Sequence, residues 1–184
     1  MTEKEKMLKG ELYFADKDEE LLADRMKAKK LCLKYNSLEP DNIESRRNVI
    51  LELFGKTKGS FVVEPNFFCD YGYNIEIGEN FYMNHNCVIL DCAKVTFGDN
   101  VFIAPNCGFY TAGHPVEVEK RNLGLEYAKP ITVGDNVWIG GNVVVLPGVR
   151  IGSNCTIGAG SVVTKDIPDN SVAVGNPCRV IKTI

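Results

Sequence analysis

Between Ile75 and Asp166 the apolar positions recur every six residues. Written in sixes, the chain reads IEIGEN, FYMNHN and CVILDC, and then, after two extra residues, VTFGDN, VFIAPN and CGFYTA. Eighteen further residues intervene, Gly113 to Pro130, before ITVGDN, VWIGGN, VVVLPG, VRIGSN, CTIGAG and SVVTKD. The third position is apolar in all twelve hexads, from Ile77, Met83 and Ile89 to Ile151, Ile157 and Val163. A helix would space its apolar residues by three and four, and a plain strand by two. One large apolar residue per six fits a short strand followed by a corner. Three hexads then make one turn of a three-sided parallel β-solenoid, its turns stacked by backbone pairing about 4.8 Å apart.

The sixth position carries the corner. It is Asn at 80, 86, 100, 106, 136, 142 and 154, Gly at 148 and 160, and Asp at 166. These residues enter left-handed or turn conformations at low cost. The exceptions, Cys92 and Ala112, are each the last residue before an inserted segment. Residues 61–74 read as two further hexads of a first, incomplete turn, with Pro65 at position five as Pro105 and Pro147 are later. Beyond Asp166, IPDNSV and AVGNPC carry the register on, and RVIKTI is expected as an edge strand or cap over the end of the solenoid.

Residues 1–60 follow a different rule. They hold 13 of the 21 basic and 12 of the 24 acidic residues but 3 of the 17 glycines, which predicts helices with solvated charged faces. Leu22, Met26, Lys29 and Leu33 mark one helix face. Asp41 is expected as the N-cap of a second helix, with Glu44 three residues on. Ile43, Ile50, Leu53 and Phe54 form its stripe, and Gly55 ends it. The chain therefore divides into a helical segment, 1–60, and a solenoid, 61–184, with an excursion loop at 113–130 and a C-terminal cap. The helices are too short for a core of their own and are expected to pack on the solenoid or on a neighbouring subunit.

Composition narrows the function. The net charge of −3 gives no electrostatic basis for binding nucleic acid or a membrane surface. No apolar run reaches a membrane span, and the N-terminus lacks the apolar stretch of a signal peptide. Of the seven cysteines, Cys87, Cys107 and Cys155 occupy position one of their hexads. They read as buried small hydrophobes in a reducing cytoplasm, not as disulfides or zinc ligands. The chain has two histidines. His85 falls at a corner and reads as structural. His114 stands where the chain leaves the repeat for its long excursion, and its imidazole is the side chain suited to proton transfer near neutral pH. By position alone it is an ordinary exposed loop histidine. Two histidines do not supply the three imidazoles of a solenoid carbonic anhydrase.

The hexads resemble those of the hexapeptide-repeat acyltransferases, which fold as left-handed parallel β-helices. The match is to the maltose and galactoside O-acetyltransferases, and it covers nearly the whole chain. It is carried by GELYFADKDEELLADRMKAK, CDYGYNIEIGENFYMNHNCVILD, TAGHP, KPITVGDNVWIGG and IGAGSVVTKDIPDNSVAVGNPCRVIK. The resemblance implies acetyl transfer from acetyl-CoA to a sugar hydroxyl, typically the 6-hydroxyl of a hexose unit. It also implies a homotrimer with active sites between subunits, and no metal.

Residue by residue, the resemblance makes His114 the general base and Asn84 an acceptor contact and oxyanion stabiliser. Asp16, Asp70 and Asp91 match acceptor-contacting positions, with Tyr82 and Arg25 as further sugar-site candidates. Glu126, just before YAKPI, is a candidate to orient His114 or bind sugar from its own position, since relatives differ there. The backbone of Gly141, with Ala159, Thr164, Lys165 and Arg179, matches the acetyl-CoA site. Outward-facing Trp138 is assigned to the subunit interface or the CoA channel. Two other readings stand beside this one: an acetyltransferase for another acceptor, such as an antibiotic, serine or an amino sugar, and a non-catalytic solenoid used for assembly.

Overall fold

A computed structural model describes residues 1–184. Outside the excursion, strands of two to four residues follow one another from Lys56 to Val174 and stack into three parallel faces. The first face holds five strands, among them Ile75–Ile77 and Ile131–Val133. The second includes Phe81–Met83, Val101–Ile103 and Val137–Ile139, and is lengthened to seven strands by Ser171–Val174 and Arg179–Thr183. The third holds five, including Val88–Leu90, Gly108–Tyr110 and Val162–Val163.

The register is the one the hexads predict. Met83 lies beside Ile103, Ile103 beside Ile139 and Ile139 beside Ile157, so position-three side chains stack in columns. All twelve are at most 3% exposed and belong to a continuous core of 37 buried residues. Cys87, Cys107 and Cys155 are buried and unpaired in disulfides, as their hexad position indicated.

Seven hexad-ending asparagines take positive φ, between 54° and 61°. At one corner their side chains also hydrogen-bond from turn to turn. The Nδ2 atoms of Asn80, Asn100, Asn136 and Asn154 donate in sequence to the Oδ1 atoms of Asn100, Asn136, Asn154 and Asn170, at 2.8–3.1 Å. Asp166 departs from the expectation. Its backbone is not left-handed, and its carboxylate accepts the Arg150 N–H at 2.8 Å. The last corner is two residues shorter, because Ile151 bridges to Ile167 and Ile157 pairs with Ala173. The IPDNSV register therefore slips by two, and the left-handed corner residue is Asn170, at φ 59°. The tail is an antiparallel edge strand, as expected.

The first turn is complete, not partial: Lys56–Thr57 pairs with Ile75–Ile77 and supplies its missing side. A side chain at Gly55 would place Cβ 2.0 Å from the Tyr73 carbonyl oxygen, so glycine there permits close approach rather than a helix stop.

The helices are α1 (Glu3–Leu8), α2 (Glu19–Asn36) and α3 (Ile43–Leu53). The face of α2 that turns inward is not the one expected. Leu21, Ala28, Leu31, Cys32 and Tyr35 are buried, whereas Leu22, Met26 and Leu33 are exposed. Small residues at 28 and 32 let the helix sit close on the solenoid end, with Cys32 Sγ 3.8 Å from Cys69 Sγ. Asn36 fixes the docking by exchanging two 2.9 Å hydrogen bonds with the backbone of Phe67. Asn42, not Asp41, caps α3, accepting from the Ser45 N–H. Val49, Ile50, Leu53 and Phe54 form its buried stripe, and Ile43 is exposed.

The excursion makes the strands Ala112–Gly113 and Leu125–Ala128 around a short helix, α4 (Val118–Asn122). Tyr13–Phe14 adds to these strands, giving a three-stranded antiparallel sheet. The N-terminal segment thus plugs the solenoid with α2 and α3 and clasps the excursion with the residues before α2.

Asn136→Ala removes both the low-cost left-handed corner and two rungs of the asparagine ladder. A loss of about 2 kcal/mol is expected, with Asn136→Gly losing less because the corner is kept. Urea unfolding midpoints of the two variants check the order.

Candidate active site

The third face is flanked by two corners, and the candidate residues divide between them. At the corner leading into this face lie Asn84, Gly141 and Ala159, stacked turn on turn. The Asn84 N–H donates to the Ile103 carbonyl and the Gly160 N–H to the Gly141 carbonyl. The Asn84 Oδ1 accepts the N–H of His85 at 2.7 Å, which leaves its side-chain amide N–H groups as donors. The backbone N–H groups of Gly141 and Ala159 have no acceptor within the chain. Donors are therefore free at this corner at Asn84, Gly141 and Ala159, while Pro105, on the turn between Asn84 and Gly141, supplies none. His85, at the same corner, places Nδ1 against the Pro65 carbonyl, in keeping with a structural role.

At the corner leaving the third face lie Asp70, Asp91 and the start of the excursion with His114; Thr164 and Lys165 are exposed further along it. The His114 side chain is 51% exposed. Its Nδ1 lies 3.0 Å from the Leu125 carbonyl oxygen, an acceptor only, so in the neutral ring Nδ1 is the protonated nitrogen and Nε2 the acceptor. Nε2 is 3.8 Å from Glu126 Oε1. The other carboxylate oxygen of Glu126 accepts the Tyr13 hydroxyl at 2.9 Å.

Asp70 faces the same region. Burial pushes its carboxyl up, while the Cys92 thiol, 3.4 Å from Oδ2, and the charges of Arg25 and Lys29 pull it down. Arg25, on α2, is held by the Ala15 carbonyl. Asp16 is exposed and lies against the tip of the excursion at Gly124, where φ is +83°. Lys17 also reaches that tip, at the Leu123 carbonyl. The N-terminal segment thus touches the excursion at Tyr13, Asp16 and Lys17, and its Arg25 lies near Asp70.

Asp91 does not meet the expectation of an acceptor contact. It is fully buried, its Oδ1 accepts the N–H groups of Asp70 and Tyr71 at 3.1 and 2.8 Å, and its Oδ2 accepts that of Asn74 at 3.3 Å. It shapes the corner that carries Asp70. Burial pushes its carboxyl up to about 6, against these backbone hydrogen bonds. Tyr82 lies elsewhere, outward on the second face between Val62 and Phe102, and Phe102 in turn neighbours Trp138. These form an outward aromatic ladder, and Trp138 is 58% exposed. Arg179 is exposed on the edge strand, its guanidinium on the Cys178 carbonyl.

No hydrogen bond joins Asn84 to His114, because they sit at opposite corners of the third face. Two residues at the site have no role assigned from sequence. Tyr13 lies inside the GELY stretch and Cys92 at a break in the hexads, but only the folded clasp sets them against Glu126 and Asp70.

Residues 6–59 match a family model described as the maltose acetyltransferase hexapeptide capping motif. Residues 130–165 match one described as bacterial transferase hexapeptide, six repeats. The galactoside O-acetyltransferase of Escherichia coli is 49% identical over 180 residues, 98% of this chain and 88% of its own. The crystal structure of a maltose O-acetyltransferase from Clostridium difficile is similar at a TM-score of 0.99 and 55% identity, covering all of this chain and 98% of that one. A galactoside acetyltransferase solved in complex with coenzyme A gives 0.96 and 48%, covering all of this chain and 92% of that one.

Asp91 makes a pH prediction. An unfolded aspartate ionises near 3.8 and this one near 6, so between those values the folded chain holds a proton the unfolded chain has released. Stability then falls as pH rises through that window, by on the order of 3 kcal/mol from this group. Compared with Asp91→Asn in chemical denaturation, the wild-type chain should lose ground from pH 4 to pH 7.

Proposed function

The chain belongs to the family of maltose and galactoside O-acetyltransferases, and from that premise we propose that it transfers acetyl from acetyl-CoA to a sugar hydroxyl. The hydroxyl is the 6-hydroxyl of a maltose, glucose or galactoside unit. One observation carries the reading: His114 is half-exposed, and in the neutral ring its Nδ1 proton points to the Leu125 carbonyl, which makes Nε2 the basic nitrogen. Such a nitrogen takes a proton from a hydroxyl as its oxygen attacks the thioester carbonyl. A C–O bond forms, the carbonyl oxygen takes the negative charge, and collapse breaks the C–S bond. The imidazolium returns its proton to the departing thiolate, so the products are an O-acetyl ester and free CoA thiol.

The oxyanion needs a donor, and the side-chain amide of Asn84 has N–H groups to give. Within one chain Asn84 and His114 lie at opposite corners of a face. A homotrimer in which the Asn84 corner of one copy meets the His114 corner of the next completes the site. The open N–H groups of Gly141 and Ala159 then face the thioester and pantetheine, and Thr164, Lys165 and Arg179 take the polar end of CoA. Asp16, Arg25 and Asp70 hold the acceptor, with Asp91 behind them as a support. Tyr82 and Trp138, on the neighbouring face, fit the subunit interface or CoA channel. Seven buried free cysteines suit a cytoplasmic setting, and no helix is long and apolar enough to cross a membrane.

Incubation with acetyl-CoA and a panel of maltose, glucose, galactosides and chloramphenicol, followed by free thiol, tests the reading. Thiol release is expected with one or more of the sugars, and none with any acceptor would overturn it. His114→Ala should lower the rate about a hundredfold or more. Light scattering should give the mass of three chains; a monomer would remove the shared site.

A further inference from the structure

One side chain of the N-terminal segment, Tyr13, bonds the carboxylate that stands beside His114. Tyr13 and Glu126 are direct cross-strand partners in the clasp, so their side chains project from the same face of that small sheet. Tyr13 is fully buried in a cluster with Met7, Leu21, Tyr71 and Cys92. Its hydroxyl donates to Glu126 Oε2 at 2.9 Å. Glu126 is itself largely covered, its side chain 21% exposed, and its second oxygen stands 3.8 Å from His114 Nε2. The residue before it, Leu125, holds the opposite ring nitrogen. Two consecutive residues of one strand therefore address both sides of the imidazole, and Tyr13 holds the carboxylate of one of them.

We propose that Tyr13 is a positioning residue for acyl transfer: its hydroxyl fixes the Glu126 carboxylate so that one oxygen faces the His114 imidazole. This rests on the reading of His114 as the base. When His114 takes the acceptor proton it becomes an imidazolium, and a carboxylate already held beside it stabilises that charge without having to reorganise. A tyrosine whose ring is locked in a packed cluster holds the carboxylate more firmly than water would. The covering segment would then prepare the base as well as closing the solenoid.

A double-mutant cycle tests this, with acetyl-CoA and the fastest acceptor of the panel. Tyr13→Phe keeps the buried ring and removes only the hydroxyl; Glu126→Gln keeps the shape and removes the charge. Each should lower kcat about tenfold with the KM for acetyl-CoA unchanged, and the double variant should be no slower than Glu126→Gln alone. Rates are compared at a temperature where thermal melts show all three variants folded. An unchanged kcat for Tyr13→Phe, or an equal loss on the wild-type and Glu126→Gln backgrounds, would overturn the proposal. The underlying reading fails separately: a His114→Ala enzyme with wild-type rate removes the base itself. A dead His114→Ala beside an unimpaired Tyr13→Phe removes only the positioning role.

Discussion

A parallel strand of two or three residues has no stability of its own. Each strand here is held by backbone hydrogen bonds to the strands above and below and by one apolar side chain stacked in a column of its kind, as Met83, Ile103, Ile139 and Ile157 are. Both terms require every turn to return to the same register. The left-handed asparagines make that possible, because each turns the chain in the space of one residue and its amide can bond to the next turn. Side chains also hold the corners: Asp99, Asp135 and Asp169 each accept a backbone N–H from the turn before, Asp166 accepts one at the shortened last turn, and Asp91 accepts three.

The same constraint explains why the candidate chemistry lies at corners. A position inside a stacked strand is committed to its neighbours on both sides. A corner can release an amide, as at Gly141 and Ala159, or release the chain altogether, as at Gly113. The third face holds one corner of each kind along its two edges. Amide donors line one edge, and an imidazole with carboxylates lines the other. Within one chain these two groups stand on separate edges of the same face, with no hydrogen bond between Asn84 and His114.

The helical segment shows where pattern reading fails. The stripe Leu22, Met26, Leu33 has correct helical spacing and lies on the exposed side. The side that packs uses Ala28 and Cys32, whose small volume permits close approach. Neither is conspicuous by hydrophobicity. The cap of α3 moved by one residue, from Asp41 to Asn42, because either side chain can accept from a first-turn amide and local sequence does not distinguish them. Asp91 matches an acceptor-contacting position by resemblance, and only the fold shows it fully buried with its oxygens taken by backbone amides.

The sequence by itself determined the solenoid, its register over twelve hexads, the excursion and the position of His114 on it. These follow from period six and from residues able to turn left-handed, both of which are local. Tertiary structure alone decided which face of α2 is buried, where the last turn shortens, and that Tyr13 and Glu126 meet although 113 residues separate them. Such contacts depend on the fit of distant surfaces, and no period within the chain records that.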